Sequence, residues 1–169
     1  MSEQFTYYQH LVFENSLTAN RYFHSHATAI VPSSLKSIDG KIPVNHQQFI
    51  SPPNSLEISW KSLPGGDWSA ELEVERWRER AGRLQGNTLT FWCWSVEAIE
   101  ADALPMLVLV MDAGATTRPL RLSGVISKLR AQEWTYIRVP FAAFDPSTGE
   151  FDFGRLQKVI FTQGIDDGE

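Results

Sequence analysis

From Asn54 onward apolar and polar residues alternate with a period of two: Leu56, Ile58 and Trp60 share one side, and Glu57, Ser59 and Lys61 share the other. After Pro64-Gly65-Gly66-Asp67 the pattern resumes, with Trp68, Ala70, Leu72 and Val74 opposed to Ser69, Glu71, Glu73 and Glu75. Side chains alternate across a strand, so each run predicts a half-buried strand. The turn residues between the runs predict a hairpin with one apolar and one acidic face. Trp60 and Trp68 are in phase with the apolar side and are expected in the core.

Shorter strand signals cover 11–14, 27–31, 88–96, 106–112, 119–123, 134–139 and 156–163. They are punctuated by Pro32, Gly86-Asn87, Asp112-Ala113-Gly114, Gly124, Pro140 and Asp145-Pro146, all of which favour turns over continued strand. Residues 35–53, with Asp39-Gly40, Pro43 and Pro52-Pro53, read as a long loop, and 76–83 as a helical turn. Many short strands without long amphipathic helices predict an all-β chain, an antiparallel β-sandwich or jelly roll. The 169 residues fit a single domain, 1–169, large enough to bury a core.

The strand at 88–96 carries large side chains on both faces, Leu89, Phe91 and Cys93 on one and Trp92, Trp94 and Val96 on the other. Either both faces are buried or one is an aromatic surface; the alternation alone leaves that open. Trp77 stands among Glu75, Arg76, Arg78 and Glu79, where a ring shields a charged face or caps a loop-edge site.

Charge narrows the partners. A net charge of -5 lacks the basic field that a phosphate backbone requires, so nucleic acid is excluded, and aromatics without that field point to a neutral ligand. No apolar run approaches the roughly 18 residues of a membrane-spanning helix, so no membrane partner is expected. Met1 to His10 shows neither a basic nor an apolar leader segment. The single Cys93 allows no intrachain disulfide and reads as a small buried hydrophobe.

Signals for chemistry are weak. His24-Ser25-His26 would place two imidazoles on one strand face, but neither His10 nor His46 supplies a third ligand at matching spacing. Glu71, Glu73 and Asp112 are candidate carboxylates with no pattern marking an acid and a base. No Gly-x-Ser-x-Gly elbow, His-Glu-x-x-His or phosphate loop occurs, so no catalytic residue is assigned.

Several segments together resemble a known group. Leu11-Val12-Phe13-Glu14, Asn54 through Trp60, Trp134 through Phe144 with its Ile-Arg-Val-Pro-Phe centre, and Val159-Ile160-Phe161 are similar to the strands of galactose-binding-like jelly-roll modules. These include the non-catalytic carbohydrate-binding modules attached to glycoside hydrolases and polysaccharide lyases. The resemblance implies a poly- or oligosaccharide partner, a linked or associated catalytic domain, and an extracellular location within a larger protein. It also implies a structural calcium, with Glu14 at a ligand position and a second ligand from a closing strand. The chain stops at Asp166-Asp167-Gly168-Glu169, where that strand would begin, so it is expected to come from elsewhere.

Sugar recognition pairs an aromatic face, for the apolar side of the ring, with polar groups for its hydroxyls. On the non-core face, alternation offers Trp92, Trp94, Tyr136 and Arg138, taken together with Glu71 and Glu73. The function expected is a non-catalytic carbohydrate-binding module that targets a linked enzyme to a glycan. Alternatives are an accessory domain docking a catalytic domain without binding sugar, and a β-sandwich glycan lyase or hydrolase.

Overall fold

The computed structural model describes residues 12–13, 15–17, 20–74, 86–111, 113–146 and 151–163. Among them twelve strands form: β1 Ser25–Ile30, β2 Ser34–Leu35, β3 Val44–Asn45, β4 Ser55–Leu56, β5 Trp60–Lys61, β6 Asp67–Glu73, β7 Thr88–Cys93, β8 Ile99–Glu100, β9 Met106–Met111, β10 Lys128–Leu129, β11 Thr135–Pro140 and β12 Leu156–Thr162. The helical elements among these residues are single 3-10 turns. The chain is all-β, as the alternation predicts.

Two antiparallel layers make the body. One sheet runs β1-β6-β12-β9, and β7 pairs with β11 in a separate ladder. Isolated bridges Leu107–Leu120 and Val110–Thr116 add the 116–120 segment to the free edge of β9. Ile137 and Val139 of β11 and Leu89, Phe91 and Cys93 of β7 point inward to Leu107 and Leu109 of β9 and Val159 of β12. Phe91 meets Phe161 edge to face across the gap, their centroids 5.7 Å apart. This is face-to-face sheet packing, each layer contributing every second residue.

A second apolar cluster fills the other end, where Tyr22, Ile42 and Val44 close over Trp68, Ala70 and Leu72 of β6. Leu56, Ile58 and Trp60 do pack on this cluster, as their phase predicts. Trp68 is wholly buried, whereas Trp60 is half-buried and leans on it at 5.5 Å.

The expected hairpin between 54–61 and β6 does not form. Both edges of β6 are occupied, one by β1 and the other by β12, so no edge remains for the preceding segment. That segment instead makes two-residue ladders, β4 with β3 and β5 with β2. Consequently the 35–53 stretch is less of a free loop than its prolines imply. Its Asp39-Gly40 pair takes positive φ at both residues, 50° and 71°, and is closed by reciprocal Ile38 and Lys41 backbone bonds of 3.0 Å. That is the two-residue turn whose twist suits a hairpin.

The Leu63 to Gly66 turn is packed, not merely flexible. A Cβ on Gly66 would collide with the Ser33 backbone nitrogen and the Ile30 carbonyl, so only glycine fits. Buried Gln163 donates from Nε2 to the Gly66 carbonyl at 2.8 Å and accepts from Ser33 Oγ at 2.5 Å, tying the end of β12 to this turn. Buried Asn54 likewise exchanges bonds of 2.8 and 3.0 Å with the backbone of Ser16. Residues 119–123, expected as a strand, contribute the Leu120 bridge and then a 3-10 turn. Of the predicted 11–14 strand, Val12 and Phe13 lie outside any strand, and Leu11 and Glu14 fall outside the described residues, as do 76–83 with Trp77 and the 164–169 end.

Trp68 is the keystone of the second cluster, with its indole Nε1 donating to Ser62 Oγ at 2.9 Å. Trp68→Ala is expected to cost about 3–5 kcal/mol, as for other buried Trp truncations. Urea unfolding measures this, and Trp60→Ala, half-exposed, should lose clearly less. Equal losses would contradict the burial difference.

Candidate functional site

Because Ile137 and Val139 are committed to the core, Tyr136, Arg138 and Pro140 must face outward from β11, and Thr88, Thr90 and Trp92 from β7. The register sets Tyr136 directly opposite Trp92, and Arg138 opposite Thr90. The two rings touch, with centroids 4.8 Å apart and planes inclined at 38°. Trp92 is 48% exposed and Tyr136 46% exposed. The sequence left open whether this strand is buried on both faces; its outer face is an aromatic surface.

Trp94 and Trp134 occupy the next alternate positions, one residue past the last ladder pair, Cys93 with Thr135. Both are half-buried. Past that pair the regular ladder ends, Ala131 bridges Ser95, and the Gln132 amide donates to the Ser95 carbonyl at 2.7 Å. An open groove of about 540 Å³ results, with Ile126, Lys128, Arg130, Glu133, Trp134 and Tyr136 in its walls. Arg130 and Glu133 stand 3.5 Å apart at its rim. Tyr136 thus belongs both to the aromatic pair and to the groove.

The polar groups beside the rings have unused hydrogen-bonding capacity. Among the described residues the Arg138 guanidinium, which is exposed, has no ion-pair or hydrogen-bond partner, and the Thr90 hydroxyl is also exposed and unbonded. A fixed apolar platform flanked by a guanidinium and a hydroxyl can stack on one face of a polyhydroxylated ring and bond its edge.

Glu71 and Glu73 do not join this face. They project from β6 on the outer side of the four-stranded sheet, and the core separates that side from the β7–β11 surface. Grouping them with the aromatics is therefore corrected: alternation assigns a residue to a face of its strand but not its strand to a layer. Lys158 Nζ donates to Glu71 Oε2 at 3.0 Å, and Glu73 lies 3.8 Å from His24 Nδ1. His26, opposite Glu71, and His46 are exposed. Among the described residues no three His, Cys, Asp or Glu side chains gather as a metal site. Glu14, the expected calcium ligand, and His10 and Asp112 lie outside the described residues.

The structure places Trp92, Tyr136 and Arg138 on the outer face that strand parity predicts, with Trp94 one position past the ladder, and adds a groove that the sequence does not indicate. Most of its walls come from residues 125–134, a stretch with no strand periodicity. The one available signal was parity, since Trp134 shares it with Tyr136 and Arg138.

No protein-family model matches the chain. A curated relative from Parabacteroides distasonis, an exo β-1,2-glucooligosaccharide sophorohydrolase acting at the non-reducing end, is 29% identical over 162 residues. That match takes in 95% of this chain and 22% of the relative, so the chain spans about a fifth of the relative's length. The crystal structure of a β-1,2-glucanase from Parabacteroides distasonis superposes with a TM-score of 0.82 at 28% identity, over 96% of this chain and 23% of that one. The family 30 carbohydrate-binding module of a Clostridium thermocellum cellulosomal cellulase gives a TM-score of 0.61 at 14% identity, over 90% of this chain and 86% of the module. The fold is therefore the jelly-roll β-sandwich of carbohydrate-binding modules. The resemblance carried by the strand segments holds at the level of fold.

Cys93 supplies a check on the assignment of faces. It lies on the inward side of β7, and burial pushes its thiol up to about 12. The thiolate is the reactive form, so near neutral pH a folded-state thiol probe should label it far more slowly than after denaturation. Equal labelling would mean that this side of β7 is open to solvent.

Proposed function

We propose that the chain is a non-catalytic carbohydrate-binding domain, one sandwich of a longer protein, that holds a β-linked glucan on the Trp92–Tyr136 surface. The observation that carries this reading is the contact pair itself: two large rings, each nearly half exposed, on a sheet whose other face is fully used by the core. Leaving two such rings in water gains nothing for folding, and aromatic residues with a wet edge are typical of recognition surfaces. The two Parabacteroides distasonis relatives are a β-1,2-glucooligosaccharide sophorohydrolase and a β-1,2-glucanase, which supports a neutral glucan as the ligand class. A net charge of -5 agrees with a neutral ligand in preference to an acidic one.

The inclination of the rings bears on the shape of that ligand. Planes 38° apart form a shallow angle that receives a twisted soluble chain better than the flat surface of a crystalline polymer. Arg138 and Thr90 would then read hydroxyls along the edge. Tethering of this kind raises the effective concentration of a linked catalytic domain at its substrate and belongs outside the cytoplasm, where polysaccharides are met.

A second reading has an observation of its own. Phe23, Ile30 and Val31, 67%, 63% and 83% exposed, lie in and around edge strand β1. An accessory domain docked on a neighbouring catalytic domain would cover them. The two readings use different surfaces, so variants separate them.

Tyr136→Ala and Trp92→Ala are each expected to weaken retention on soluble β-glucan in affinity electrophoresis by about tenfold, the equivalent of ~1.4 kcal/mol. Thermal midpoints should stay close to that of the unmodified protein, because both rings are outside the core. Undiminished retention, or unfolding of both variants, defeats the platform reading.

A further inference from the structure

We infer that the groove beside Tyr136 is a second sugar subsite, so that the domain reads an internal stretch of a glycan chain and not a single terminal residue. This rests on the Trp92–Tyr136 surface being the place where sugar stacks. The first step of the argument is continuity. Tyr136 is both one half of the exposed ring pair and a wall of the groove, so a chain stacked on the pair has its next unit at the groove mouth. The groove is open at its sides, and its volume of about 540 Å³ lies in the range of ligand sites, roughly 300–1,000 Å³.

The second step is the chemistry of the walls. Trp134 and Ile126 give an apolar floor, while Lys128, Arg130 and Glu133 supply charged groups. Arg130 and Glu133, 3.5 Å apart, present a donor array next to an acceptor. Neighbouring hydroxyls on a sugar ring can accept from the one and donate to the other, which is the pattern a vicinal diol offers. Arg130 and Glu133 balance each other, and Glu100 stands opposite Lys128 in the β8–β10 register. With a net charge of -5 on the whole chain, a neutral glycan is the ligand class proposed for the groove.

Both rim residues are exposed, with side chains 70% and 56% accessible, so truncating them leaves the core untouched. Calorimetric titration with β-1,2-glucooligosaccharides of two to six sugars provides the test. The unmodified protein should bind the longer chains more tightly than the disaccharide. Arg130→Ala and Glu133→Ala should each reduce affinity for the longer chains by roughly three- to tenfold, as for a typical net hydrogen bond at an exposed site, and leave the disaccharide unaffected. Glu133→Gln, which keeps an acceptor, should recover part of the loss. If affinity does not grow with length, or the rim variants match the unmodified protein while Tyr136→Ala still weakens binding, the subsite is wrong and the platform stands. If Tyr136→Ala has no effect, or no length binds, the platform reading fails and the subsite falls with it.

Discussion

The packing of the β7–β11 ladder against β9 and β12 is the interaction on which the rest of the molecule depends. Ile137, Val139, Leu107 and Leu109 are almost completely removed from solvent, and burial of such side chains contributes about 1.5–3 kcal/mol each. Once these residues are committed inward, the strand period leaves no choice for their neighbours: Tyr136 and Arg138 must stand outside. The antiparallel register then brings Trp92 against Tyr136. The exposed rings are thus held by more than their contact with each other. They are positioned by the core beneath them, which is the condition for a preorganised surface that loses little entropy on binding.

How much of this was legible in the sequence depends on the range of the interaction. Faces are local, and Leu56, Ile58, Trp68, Ala70, Leu72, Phe91 and Ile137 all pack on the apolar clusters as their phase predicts. Partners are not local. β6 lies between β1, some forty residues earlier in its pairings, and β12, about ninety later, and nothing in an alternating run encodes either choice. The failed hairpin is the direct result, because a plausible turn and two well-phased runs still have to compete for edges that distant strands already occupy. Assigning Glu71 and Glu73 to the aromatic face failed for the same reason. Within the candidate site, the placement of Trp92, Tyr136 and Arg138 was readable because strand parity defines it, whereas the groove depends on how residues 128–131 pair with 95–100 beyond the end of the ladder.

The outer side of the four-stranded sheet is a useful contrast, since it is polar, partly exposed and at first sight an equal candidate for binding hydroxyls. Its polar groups, however, are already engaged with one another. Lys158 bonds Glu71 at 3.0 Å, Thr28 bonds Ser69 at 2.9 Å across β1 and β6, and Thr162 donates to the Trp68 carbonyl at 3.0 Å. A sugar arriving there would have to replace bonds already made, with no ring to cover, and the exchange of one hydrogen bond for another contributes little. On the β7–β11 face the balance is reversed. Stacking on Trp92 and Tyr136 removes apolar area from water without breaking any protein contact, and the Arg138 guanidinium and Thr90 hydroxyl exchange only water for ligand. Unspent hydrogen-bonding capacity beside uncovered apolar area is what sets the β7–β11 side apart from the side that is merely polar, and it is the reason the binding surface is proposed there.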